Sequence, residues 1–257
     1  MIPELPAPFL SIPVAHRALH DVADGRPENS RAAIRAAIKA GYAIEIDLQL
    51  SRDGCPMVFH DYALERLAEA TGAIRTKTQA ELAQIGLRGG NGETIPSLAE
   101  VLDLVAGRVP VLIETKDQDG NLGPDVGTLE QATAAVLQGY QGPVALMSFN
   151  PHSVAALAQH APDIARGLVT SSYDPEDWIP VPASICDRLR DIPDFDSSQS
   201  SFISHEVADL VRPRVQELRS AGVPVLCWTV KSLKAEAEAR QWADNVTFEK
   251  YLSPLLG

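Results

Sequence analysis

Between positions 43 and 50 the chain reads AIEIDLQL, and its side chains alternate in character. Ile44, Ile46, Leu48 and Leu50 share one face; Ala43, Glu45, Asp47 and Gln49 share the other. A period of two predicts a β-strand. Further strand-like runs read FLSIPVAHR from position 9, VPVLIETK (109–116), GPVALMSF (142–149), DIARGLVT (163–170), SSFIS (200–204), VPVLCWTV (223–230) and DNVTF (244–248). Helical patterns separate most of them. SRAAIRAAIKAG places Ile34 and Ile38 four apart and stops at Gly41. SLAEVLDLVAG opens with Ser97 and Glu100 at capping-box spacing, and NPHSVAALAQH with Asn150 as a cap and Pro151 just inside. DVGTLEQATAAVLQG, VRPRVQELRSAG and SLKAEAEARQWA complete the set.

About eight strands in βα order predict parallel pairing with right-handed crossovers. In 257 residues this is the size of a closed (β/α)8 TIM barrel, class α/β. An open doubly wound sheet is the rival, but no Gly-rich fingerprint follows the first strand. Stretches 61–96 and 171–199 break the alternation. Both read as insertions without cores of their own, the first a small one after the second strand, so residues 1–257 are expected to form one catalytic domain.

Composition narrows the function classes. Hydrophobic residues make up 45% and charged residues 22%, the ordinary balance of a soluble globular protein. The net charge of −12 is spread along the chain, which argues against nucleic acid and anionic membranes as partners. No run of 18 apolar residues predicts a membrane span, and the N-terminus lacks a signal-peptide pattern. The three cysteines show no metal-type spacing. A cytoplasmic location is the expectation.

In a parallel barrel, functional groups collect where strands end. His16 and Arg17, Glu45 and Asp47, His60 and Asp61, Glu114 and Lys116, and Trp228 and Thr229 all fall near such ends. Glu45 and Asp47, two apart on one strand face, have Cα atoms roughly 6.5 Å apart. Alone they read as a solvated strand face. Recurrence of the pattern at Glu114 and Lys116 weakens that, because helices cover the outside of a barrel. Converging carboxylates need a cation among them, and oxygen ligands suit Mg²⁺ or Ca²⁺. His16 and His60 bracket this site as candidate proton donor and acceptor. Arg17 and Lys116 are candidate phosphate contacts, or simple partners of the carboxylates. PENS (27–30) reads as a turn and helix start capped by Asn29 or Ser30. His20, His152, His160 and His205 read as surface or capping residues.

Together AHR (15–17), PEN (27–29), EIDLQLSRDG (45–54), FHD (59–61), IPSLAEVL (95–102), IETK (113–116), SF (148–149) and CWTV (227–230) resemble the glycerophosphodiester phosphodiesterases. The elements occur in that family's order across nearly the whole chain. The resemblance implies a TIM barrel with a small insertion after the second strand. It also implies metal-dependent cleavage of a small-molecule glycerophosphodiester to glycerol 3-phosphate and an alcohol. On it, Glu45, Asp47 and Glu114 are expected metal ligands, His16 and His60 the acid/base pair, and Arg17 and Lys116 phosphate contacts. Glu28 and Asn29 match a site-lining motif, and Trp228 an aromatic wall near the glycerol. Ala18 stands where the family usually has Gly, ERLAEATG replaces an Arg-Thr-Thr-like run, and the last strand reads ADNVTFEKY. Two other classes compete: a metal-dependent barrel lyase, and a phospholipase-like enzyme, which needs an exposed apolar rim. Tyr173, Trp178 and Ile179 are the candidates for that rim.

Overall fold

Alternation decides which way each strand faces, and the computed structural model, which describes residues 2–179 and 181–255, shows it directly. The strands are β1 Val14–Ala15, β2 Ala43–Leu50, β3 Pro56–Val58, β4 Val111–Thr115, β5 Val144–Ser148, β6 Ala165–Thr170, β7 Phe202–Glu206, β8 Val225–Val230 and β9 Asn245–Phe248. All but β3 run parallel, in the order β1-β9-β8-β7-β6-β5-β4-β2, and β1 pairs with β2 to close an eight-stranded barrel. β3 is a short antiparallel return on β2, with Val58 opposite Leu48.

The helices among the described residues are α1 Pro8–Ser11, α2 Arg31–Ala40, α3 Gln79–Leu82, α4 Leu98–Val105, α5 Thr128–Leu137, α6 Pro151–His160, α7 Ala183–Leu189, α8 Pro213–Ser220 and α9 Leu233–Ala239. Their starts follow local chemistry. Ser30 caps α2 by accepting from Ala33 N, Ser97 and Glu100 form the expected capping box, and Asn150 caps α6 ahead of Pro151. None is long and apolar enough to cross a membrane. Cys55, Cys186 and Cys227 are free.

Ile44, Ile46 and Leu48 pack outward against Ala33, Ile34 and Ala37 of α2 and against Leu98 and Val101 of α4. Ala43 points inward with Leu112, Ala145, Ala165, Phe202 and Leu226. By the same period Glu45, Asp47 and Gln49 face the barrel interior. Phe202 fills much of that interior, and Gly167 makes room for it: a Cβ there would lie 2.6 Å from the Phe202 ring.

Two expectations need correction. FLSIPVAHR is not one strand: Pro8 opens α1, and only Val14–Ala15 pair as a strand. Proline at the first helical position is preset for a helix start. Phe9 of α1 is fully buried against the interior cluster, and Asn245 Nδ2 donates to Phe9 O at 2.8 Å and Ile12 O at 2.7 Å. The segment is a plug for the base of the barrel. Nor are the insertions coreless. Leu64, Ala68, Ile74, Leu82, Leu87 and Ile95 cluster with Met57 and Phe59, and Tyr173, Cys186 and Leu189 cluster with Leu122. The first cluster is organised by isolated bridges such as Ala63 to Ala73 and Ala68 to Leu87, so its apolar residues follow no helix or strand period.

The plug sits at the N-terminal strand ends, away from the inward carboxylates. Phe9→Ala is expected to lower stability by about 3–5 kcal/mol, read as a lower urea midpoint at unchanged slope. The folded fraction should bind and turn over ligand as the parent does. A loss under about 1 kcal/mol would show that the plug is dispensable.

Candidate active site

The β2–β4 register sets Asp47 directly beside Glu114. Glu45, Asp47 and Glu114 each offer a carboxylate oxygen, all within 4.8 Å of one another. Their exposures are 2%, 1% and 6%, so three like charges share a nearly dry space. Lys116, two residues beyond Glu114 and on the same face, places Nζ 2.8 Å from Asp47 Oδ1 and 2.7 Å from Glu114 Oε1. Arg17 N donates to Glu45 Oε2 at 2.8 Å, and Arg17 Nε lies 3.7 Å from Asp47 Oδ2. Glu45 and Asp47 divide accordingly. Burial, then Asp47 and Glu114, push the Glu45 carboxyl well above the ordinary range. Burial also pushes Asp47 up, but Lys116, His60 and Arg17 outweigh it and hold Asp47 well below that range. Burial pulls Lys116 down, and Asp47 and Glu114 more than reverse it.

The loop after β1 explains how Arg17 reaches this space. Arg17 and Ala18 are left-handed, with φ of 52° and 64°, and Ala18 N donates to Glu45 O at 2.9 Å. Ala18 therefore holds the conformation that a glycine adopts freely, at a strain of roughly 1–2 kcal/mol. Asn29, also left-handed, donates from Nδ2 to Asp47 Oδ2 at 2.9 Å and accepts from Asp47 N at 3.3 Å. Glu28 accepts from Arg17 Nη1 at 2.7 Å and from Arg66. Glu28 and Asn29 thus touch Arg17 and Asp47, standing behind the cavity instead of lining it.

Each histidine has one ring nitrogen on a carboxylate. His16 Nδ1 lies 2.8 Å from Glu249 Oε2, and His60 Nδ1 lies 2.6 Å from Asp61 Oδ1. Arg66 Nε donates to Asp61 Oδ2 at 2.6 Å. The β3 return is fixed to the carboxylate strand, since Phe59 N donates to Asp47 O and Gln49 Nε2 donates to His60 O. His16, Arg17, Glu45, Asp47, His60, Glu114, Lys116 and Trp228 line one cavity of about 70 Å³, together with Met147, Phe149, Ser204 and Thr247. The Lys116 ammonium sits between two of its carboxylates. A larger groove of about 510 Å³ along α5 and α6 carries no such convergence of charge. Trp228 Nε1 donates to Ser204 O at 3.0 Å, and Phe149 meets the Trp228 ring edge-on at 5.4 Å.

These residues fit a divalent cation and an anion beside it. The carboxylate donors are hard oxygens, converging and short of positive charge. Arg17 Nε, Ser204 Oγ and Thr247 Oγ1 are buried on residues of the cavity wall, with no hydrogen-bond partner among the described residues. Buried polar atoms of this kind want a ligand or water.

Several residues of consequence escaped the sequence reading. Glu249, 233 positions from His16, gave no local signal. Arg66 and Phe149 gave only weak ones. His20 is half-buried, with its Nε2 shielded 3.7 Å from Glu249 Oε2. His205 is fully buried between Thr170 and Asp209. Of the proposed apolar rim, Tyr173 is buried and Trp178 packs on it and on Phe149, which leaves Ile179, 82% exposed.

The sequence model of the Glycerophosphoryl diester phosphodiesterase family matches residues 16–247. A glycerophosphodiester phosphodiesterase of Caldanaerobacter subterraneus subsp. tengcongensis is 31% identical over 160 residues. That alignment covers 59% of this chain and 65% of the relative, a little under two thirds of its length. A phosphodiesterase of Oleispira antarctica, solved in complex with the product sn-glycerol-3-phosphate, superposes with a TM-score of 0.75 at 25% identity, covering 93% of this chain and 94% of that one. The glycerophosphodiester phosphodiesterase of Agrobacterium tumefaciens str. C58 has the same fold, with a TM-score of 0.67 at 23% identity and coverage of 91% and 94%. The family match begins at His16 and ends at Thr247, so it takes in every residue that lines the cavity, and the chain belongs to the glycerophosphoryl diester phosphodiesterase family.

Proposed function

We propose that the protein hydrolyses glycerophosphodiesters to glycerol 3-phosphate and an alcohol, with Mg²⁺ or Ca²⁺ held by Glu45, Asp47 and Glu114. One observation carries this proposal: three carboxylates, two cationic side chains and two carboxylate-bonded histidines meet in one buried cavity. The product complex of the Oleispira antarctica relative supports it.

When bound, the divalent ion supplies Lewis-acid polarisation of a phosphoryl oxygen and neutralises charge. The chain's own residues do the remainder. Arg17 and Lys116 bind the anionic phosphoryl oxygens, and the Lys116 ammonium, which lies between Asp47 and Glu114 in the metal-free protein, carries three N–H groups to give. Asn29 and Glu28 hold Asp47 and Arg17 in place. With Nδ1 engaged, each histidine has Nε2 for proton transfer. One takes the proton of the attacking oxygen, which belongs to water or to the neighbouring glycerol hydroxyl. The other gives a proton to the departing alcohol oxygen. Burial, opposed by the Glu249 hydrogen bond, lowers the His16 pKa, so its ring is neutral at pH 7 and able to accept. Trp228 and Phe149 wall the glycerol carbons and exclude water from them.

His16→Ala and His60→Ala should each cut the rate of glycerol 3-phosphate release by roughly 10²-fold or more. Near-parental turnover in either variant removes that histidine from the reaction. Exhaustive chelation should abolish turnover, with recovery on adding Mg²⁺ or Ca²⁺; activity indifferent to chelator would contradict the metal assignment.

Glu45→Gln gives a readout apart from activity. In the metal-free protein, Glu45 has a raised folded pKa, so it favours the native state only while protonated and loses that stability as pH rises from the carboxylate range. The variant lacks this loss. Its Tm should therefore exceed the parent's at neutral pH, at about 2–4 °C per kcal/mol relieved, and the gain should shrink toward acid pH. The Tm rise on adding divalent ion, large in the parent, should vanish. A variant less stable than the parent at every pH, or one still stabilised by the ion, would show that Glu45 neither repels its neighbours nor binds metal.

A further inference from the structure

Glu249 follows β9 directly, and its carboxylate is the centre of a second polar cluster. Oε2 lies 2.8 Å from His16 Nδ1 and 3.7 Å from His20 Nε2. Oε1 lies 3.4 Å from Lys231 Nζ and 3.7 Å from Lys250 Nζ. The side chain is 11% exposed. Its backbone is equally constrained: Glu249 N donates to Val230 O, and His16 N donates to Phe248 O, both at 2.9 Å. His16 and Glu249 therefore ride on adjacent, paired strands with little freedom to drift apart.

We infer that Glu249 is the positioning residue for His16, accepting Nδ1–H and so fixing the tautomer that leaves the Nε2 lone pair for the cavity. The inference rests on the phosphodiesterase reading above. A neutral imidazole carries one N–H, and the partner of one nitrogen decides which nitrogen bears it. A carboxylate has no proton to give here, because the His16 hydrogen bond, with the His20 ring and Lys231 close by, holds Glu249 well below the ordinary carboxylate range. Nδ1 must then be the donor, and Nε2 the acceptor. Lys231 and Lys250 offset the carboxylate's charge on its outer oxygen, so its main contribution to His16 is orientation and tautomer. His60 has the same construction from local sequence: Asp61 accepts at Nδ1 and Arg66 neutralises Asp61. The two acid/base candidates are thus built alike, one from adjacent residues and one from opposite ends of the chain.

The test uses the whole 257-residue chain with Glu249→Gln, which keeps the shape, and Glu249→Asp, which keeps the charge. Between two lysines and a histidine, the glutamine amide turns its oxygen to the lysines and its NH₂ to His16. That imposes the opposite tautomer. With glycerophosphocholine as probe, kcat of Glu249→Gln should fall about 10–100-fold with KM little changed, and Glu249→Asp should recover part of the loss. On a His16→Ala background, Glu249→Gln should cost nothing more, because its effect passes through His16. Nitrogen-15 histidine spectra, which need no turnover, should show His16 as Nδ1–H in the parent and Nε2–H in Glu249→Gln. An Nε2–H parent, or an equal loss of rate with and without His16, overturns the inference. If the parent itself fails to hydrolyse any glycerophosphodiester, the functional reading falls, and the tautomer spectra still decide the role of Glu249.

Discussion

Three carboxylates within 4.8 Å of one another, almost wholly shielded from water, are the constraint around which this protein is arranged. Such a group cannot stay ionised without compensation. Lys116 compensates from the same strand as Glu114, and Arg17 from the loop after β1. Around these stands a ring of groups outside the cavity lining: Asn29 on Asp47, and Glu28 and Arg66 on Arg17 and Asp61. The compensation is incomplete. Glu45 is left favouring its proton, which is the electrostatic signature of a site built for an added cation.

The barrel separates this strained end from the part that stabilises it. Each strand faces apolar residues outward to the helices, while its inward positions change character along its length. Leu112, Ala145, Phe202 and Leu226 fill the interior near the base, where Phe9 and Leu5 close it. Glu45, Asp47, Glu114, Ser204, Trp228 and Thr247 take over toward the mouth. Parallel barrels collect chemistry at the C-terminal strand ends and stability at the other. On the proposed function, a protein with a net charge of −12 binds an anion because the field at the site is that of Arg17, Lys116 and the added cation, not of the distant surface.

The eight strands and most helices were legible in the sequence because their apolar periods are regular and their caps are chemically explicit. The inward carboxylates were legible for the same reason: once AIEIDLQL is a barrel strand, its polar face has nowhere to point but inward. Irregular packing was not legible. The α1 plug and β1 share one apolar run, and the insertion core around Leu64 and Leu87 is held by isolated bridges without a period. Long-range partnerships were invisible too. Asn29 was expected as a possible cap, but Ser30 takes that role and Asn29 holds Asp47. Glu249 reaches His16 only because β9 closes the barrel against β1.

The direct test of the account is the position of the metal. Anomalous diffraction from crystals soaked in Mn²⁺, a stand-in for Mg²⁺, locates it independently of turnover. The account predicts one strong peak coordinated by oxygens of Glu45, Asp47 and Glu114, with the Lys116 ammonium no longer bridging Asp47 and Glu114. A peak instead at His16, His20 and Glu249, the other such cluster among the described residues, with Lys116 still in place among the carboxylates, would contradict it.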